Sequence, residues 1–173
     1  MVHPDDSGDG PTRAANLWDA ARRGDVAGLE ALRIDGADLD ATNDRGDTAL
    51  LLAAYYGRHA AVTWLLGHGA TPDRPNAKGQ LALAAACYRG DRAIVTALLD
   101  AGADVEGTAG AIRRPLMMAS AYGHHELVAL LLDRGADPHA RTADGRSAAD
   151  MARAGGAEAI AALLDAAPPA AQR

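Results

Sequence analysis

Glycine recurs in this chain at positions 24, 57, 90, 123 and 156, a step of thirty-three residues held without an insertion. A period of that length constrains the fold more than any other feature. Each copy must be one small supersecondary unit, and it must bury its apolar face against the next copy. Other markers keep the same register. Gly-Ala pairs stand at 36–37, 69–70, 102–103 and 135–136, leucine pairs at 65–66, 98–99 and 131–132, and Val62, Val95 and Val128 three residues ahead of those leucines.

Each marker has a physical task. Glycine accepts the left-handed conformation that ends a helix, because it carries no Cβ to clash. Two such glycines per period, each closing a short apolar stretch, spell helix–turn–helix–loop. Between Asp47 and Gly69, Thr48 is placed to accept from the free amides of a first helical turn. Leu50, Ala53 and Ala54 follow at helical spacing, Gly57 stops that helix, and Val62, Leu65 and Leu66 share a face of the next. Composition agrees. The apolar half is alanine and leucine, with no Phe, two Trp and four Tyr, which suits closely spaced helices and excludes a β-sandwich or barrel. The expected class is all-α.

The segment Asp44-Arg-Gly-Asp-Thr-Ala-Leu-Leu-Leu-Ala-Ala-Tyr-Tyr-Gly-Arg-His, followed by Val62-Thr-Trp-Leu-Leu-Gly-His-Gly-Ala70, resembles an ankyrin repeat. Residues 77–103 and 112–136 are similar, the latter with Gly123-His124 and Asp133-Arg-Gly-Ala-Asp137. The resemblance implies a solenoid of about five stacked helix pairs joined by hairpin-like loops. It divides the chain into a mobile arm at 1–12, repeats at 13–43, 44–76, 77–109, 110–142 and 143–167, and a tail at 168–173. Arg22, Arg23 and Arg33 in the first pair, and Asp150, Arg153, Glu158 and Asp165 in the last, mark these as polar caps. There are departures from the family pattern. The capping threonine survives as Thr48 and Ser147 but becomes Leu81 and Arg114, a loss of about 1 kcal/mol at each. The loop glycine of 46, 79 and 145 is Ile112 in the fourth repeat, so the loop 107–115 is expected to be irregular and to contribute to binding, with Gly110 taking the turn.

Net charge is −6, which argues against broad binding to nucleic acid or an anionic membrane. Uncharged stretches such as 79–88 and 115–125 are shorter than a membrane span, and the acidic N-terminus does not read as a secretory signal. One cysteine excludes an internal disulfide. The expectation is a monomeric cytoplasmic protein, and the preference for Arg over a lone Lys78 points to a GC-rich bacterial source.

No catalytic constellation, metal site or cofactor motif emerges, so no enzyme is expected. Adjacent residues of His124-His125-Glu126 project about 100° apart on a helix, and His124 fits a repeat position. Cys87 shares its register with Ala54 and Ser120, a small interior site. Function is expected on the concave face, which the resemblance builds from loop tips and the last turn of each first helix. All four tyrosines fall there. The candidate partner-binding residues are Arg45, Asp47, Tyr55, Tyr56, Lys78, Tyr88, Arg89, Arg113, Arg114, Tyr122 and Arg146. Adding Arg22 and Arg23, and counting Asp44, Asp47 and Asp144 against them, eight positive minus three negative gives +5. Tyrosine and arginine are favoured where partners dock. The leading reading is a non-catalytic module that scaffolds, sequesters or inhibits a protein with an acidic contact surface. The alternative is a binder of nucleic acid or a phosphate-bearing ligand through the same face.

Overall fold

A computed structural model describes residues 10–107 and 114–168 of the chain, with side chains from residue 16 onward. Among the described residues ten helices follow one another in pairs: α1 (Gly10–Arg23) with α2 (Val26–Ile34), α3 (Ala49–Tyr55) with α4 (His59–Gly67), α5 (Ala82–Arg89) with α6 (Arg92–Asp100), α7 (Pro115–Ala121) with α8 (His125–Asp133), and α9 (Ala148–Ala154) with α10 (Glu158–Ala166). Among the described residues there is no strand; isolated bridges Thr42–Thr48 and Arg141–Ser147 close two of the loops. The fold is an all-α repeat solenoid. Helix α1 begins at Gly10, ahead of the start expected at 13. The remainder of the N-terminal arm, the tail beyond Pro168, and residues 108–113 with Gly110, Ile112 and Arg113, lie outside the described residues.

The odd-numbered helices form an inner layer in which each packs on the next, and the even-numbered ones an outer layer. The seam between them is alanine and leucine. Ala53, Ala54, Ala86, Ala119 and Ala152 are fully buried, with Val62, Leu65, Val95, Leu98 and Leu131 beneath them. Alanine brings the inner helices closer than leucine would, and the inner side is the one that the family resemblance makes concave.

The repeat glycines take the conformation their spacing requires, with φ of 77°, 69°, 78°, 74° and 75° at 24, 57, 90, 123 and 156. At Gly90 the neighbouring repeat adds a second constraint, since an added Cβ would lie 2.6 Å from the His124 ring. Capping follows the sequence too. Thr48 accepts from the Leu51 amide, and Ser147 forms a reciprocal capping box with Asp150. Leu81 and Arg114 make no side-chain cap, although Pro115 at the first turn of α7 has no amide to leave open. Helices α2 and α6 take their caps from Asp25 and Asp91.

Acidic side chains join successive loops. An Asp40 carboxylate oxygen accepts from the Thr71 amide at 2.9 Å, Asp73 accepts from the Asp104 amide at 3.0 Å, and Glu106 accepts from the Asp137 amide. The end repeats carry exposed ion pairs, Arg22 and Arg23 with Asp19 and Arg33 with Glu30 at one end, Arg153 with Asp150 and Asp165 at the other.

Three outcomes are expected. Thr48→Ala should lower stability by about 1 kcal/mol in a denaturant titration, and Thr48→Ser should be nearly silent. Gly90→Ala should cost more than Gly102→Ala, because both sit at positive φ but only Gly90 has a neighbour within 4 Å of the added Cβ. Acidification should loosen the last repeat. Hydrogen bonds from the Ser147 amide and hydroxyl, in that order of weight, hold the Asp150 carboxyl below the usual carboxylate range. Its stabilising contribution is therefore present above that range and is lost as pH falls through the lowered value. Amide exchange in α9 measured down a pH series should show this, and Asp150→Asn should flatten it.

Candidate functional site

The last turn of each inner helix leaves backbone carbonyls without an intrahelical donor. Here the next repeat supplies one. The Arg58 Nε donates to the Arg22 carbonyl at 2.8 Å, an Arg89 guanidinium nitrogen to the Tyr55 carbonyl at 3.2 Å, and the His124 Nε2 stands 3.1 Å from the Tyr88 carbonyl. All three acceptors lie two residues before a repeat glycine. The ties fix the backbone of Tyr55 and Tyr88, and their rings project from the concave side.

The four tyrosines form one connected row. Tyr55 meets Tyr56 edge-on with centroids 5.3 Å apart, stands parallel to Tyr88 at 6.3 Å, and Tyr88 meets Tyr122 edge-on at 4.6 Å. Their exposures, 45%, 40%, 38% and 52%, leave roughly half of each ring in solvent. The row borders an open groove of about 430 Å³ across the second to fourth repeats. Arg45, Asp47, Asn76, Lys78 and Gln80 line its loop side; Leu51, Leu52, Ala84, Ala85 and Met118 line its helical side.

The loop side is rigid. Asn76, 8% exposed, accepts from the Lys78 and Gln80 amides through its Oδ1, and donates through Nδ2 to Asp47 at 2.7 Å and to the Gln80 side chain at 2.9 Å. Asn43 organises the preceding loop likewise, its Oδ1 accepting from the Arg45 and Asp47 amides. The Ala77 amide donates to the Arg45 carbonyl at 3.0 Å, locking the two loop tips together.

Seven of the expected site residues therefore meet at one groove: Arg45, Asp47, Tyr55, Tyr56, Lys78, Tyr88 and Tyr122. Within it Asp47 has a structural task, because both carboxylate oxygens face amide donors, Asn76 at 2.7 Å and Asn43 at 3.4 Å. Among the described residues, the other expected cations do not converge on the groove. Arg89 ties a backbone carbonyl, Arg114 pairs with Glu106 at 2.6 Å, and Arg146 pairs with Asp144 at 2.7 Å. Arg22 and Arg23 are held by Asp19. The +5 face summed from the sequence is thus divided by local acids, and the cations of the groove whose side chains have no partner among the described residues are Arg45 and Lys78.

Two other expectations are located. Cys87 is fully buried, and burial pushes its thiol well above the usual range, which suppresses the reactive thiolate. His124 and His125 serve backbone carbonyls, Tyr88 and Gly123 respectively. Among the described residues no group of His, Cys, Asp and Glu is arranged to hold a metal ion, and no helix is long and apolar enough to cross a membrane.

A family model described as ankyrin repeats (3 copies) matches residues 17–109, and one described as ankyrin repeats (many copies) matches residues 98–152. The chain belongs to the ankyrin-repeat family. No curated protein matches it. Ankyrin repeats serve in general as protein–protein interaction modules and are typically non-catalytic.

Sequence reading missed Asn76, Gln80 and the tie made by His124. It also missed the row Leu52, Ala85 and Met118, although these stand one period apart and could be found by aligning the repeats column by column. Asn76→Ala should cost about 2–3 kcal/mol, because it strips donors from a buried carboxylate and an acceptor from two amides. His124→Ala should cost about 1 kcal/mol. Thermal or denaturant unfolding of the two variants checks both values.

Proposed function

We propose that this ankyrin-repeat protein is a non-catalytic binding module whose concave groove engages an acidic segment of a partner protein, and so scaffolds, sequesters or inhibits it. The tyrosine row carries this reading. Four half-exposed rings touch one another along one face of the stack, beside two cations, Arg45 and Lys78, that have no side-chain partner among the described residues. Tyrosine gives large contact area for little lost rotamer freedom, and cations at a groove edge steer acids to it. The backbone ties and the Asn76 network hold this face in place, which lowers the entropy cost of docking. We propose further that it acts as a monomer in the cytoplasm.

The test begins with capture from extract of the source cells, using the wild type and a Tyr55, Tyr56, Tyr88, Tyr122→Ala variant in parallel. A true partner is retained only by the wild type. Measured with that partner purified, at least one single tyrosine substitution should weaken binding by about 2 kcal/mol or more. The same substitutions should each cost less than about 1.5 kcal/mol of stability, as for half-exposed side chains. Binding that falls log-linearly and steeply with salt, with nucleic acid as the captured species, would replace this reading by the alternative one.

A further inference from the structure

The columns of the repeat differ at one place along the groove. The second repeat presents Leu51 and Leu52 on the inner helix, and the fourth presents Met118 at the position of Leu52. Between them the third repeat presents Ala84 and Ala85. Two large side chains are therefore replaced by two methyl groups in the middle of the groove, Ala84 nearly covered at 5% exposure and Ala85 partly open, with the larger Leu52 and Met118 lining the groove in the repeats on either side. Tyr88, on the same helix one turn on from Ala84 and Ala85, borders this notch with its exposed ring. On the loop side stands the Lys78 ammonium, which makes no hydrogen bond or ion pair among the described residues, with Arg45 one repeat earlier.

We propose that the Ala84–Ala85 notch is an anchor socket for one large apolar side chain of an extended peptide segment, with a carboxylate of the same segment held by Lys78 and Arg45. This deepens the reading of the concave face as a protein-binding surface and rests on it. Three observations converge on such an occupant. The notch is apolar and walled by Leu52 and Met118, so it rewards burial of an aliphatic or aromatic group. Among the described residues the unpartnered charges lining the groove are both positive, because Asp47 is held by Asn76 and Asn43. The groove is an open trough across three repeats, which suits an extended chain better than an enclosed small molecule. A flanking acid also distinguishes this occupant from a purely apolar segment, which would leave Lys78 and Arg45 beside a dry surface with nothing to pair.

The probe is a displayed library of random twelve-residue peptides, selected on the folded full chain, with affinities of the enriched peptides measured in solution. The expected consensus is one large apolar residue with Asp or Glu on one side of it. Ala85→Leu, which installs the residue found at position 52, should fill the socket and weaken these peptides at least about tenfold. Ala85→Ser, of nearly the same size, should leave them bound, and circular dichroism should show both variants folded. Arg45→Glu with Lys78→Glu should shift a repeated selection away from acidic peptides. Peptides that bind as well to Ala85→Leu as to wild type, yet are lost from Tyr88→Ala, would overturn the socket and leave the binding face standing. A selection that yields no binder, or binders indifferent to both substitutions, would overturn the socket and the face together. An enriched consensus without a large apolar residue would also overturn the socket.

Discussion

Helix-on-helix stacking between repeats is the interaction on which everything else in this protein depends. Apart from α1, the helices have only seven to nine residues, and such helices are unstable alone in water. They persist because alanine-rich faces let each inner helix settle closely on the next, and because a leucine and valine seam is sealed beneath them. Stability is then shared between neighbours rather than owned by any one element.

The same stacking builds the candidate site. A strict period sets equivalent positions side by side, so that residues thirty-three apart in sequence become rows across the concave face. Close packing also brings the orphan carbonyls at the end of one inner helix within reach of the next repeat. Arg58, Arg89 and His124 fill that role with three different side-chain geometries. Tyr55 and Tyr88 thus stand on backbone that is tied from the neighbouring repeat, and Tyr56 and Tyr122 extend their row along the same face.

Charge is distributed by the same local rules. Asp40, Asp73 and Glu106 at the loops are occupied with amides of the following loop, and Asp19, Glu30, Asp150 and Asp165 at the ends of the stack with arginines of the same repeat. Among the described residues that line the groove, the charges without a partner are Arg45 and Lys78. A protein of net charge −6 thereby presents a groove whose unpartnered charges, among the described residues, have the opposite sign.

The sequence alone determined the period, the helix pairs, the positions of the turns and the presence or absence of caps at Thr48, Leu81, Arg114 and Ser147. These depend on backbone conformation and on bonds between near neighbours, which residue type encodes directly. It also placed the tyrosines on one face, since their position within the period is a matter of counting. The tertiary structure decided which charges are available. Whether Arg89, Arg114 or Arg146 faces solvent or meets Tyr55, Glu106 or Asp144 depends on distances of a few ångströms, which no spacing in the chain specifies. It decided too that Asp47 is held by Asn76, twenty-nine residues away, and that Ala84 and Ala85 line one groove with Leu52 and Met118. A hollow is a relation among side chains of three repeats, and it exists only once they are stacked.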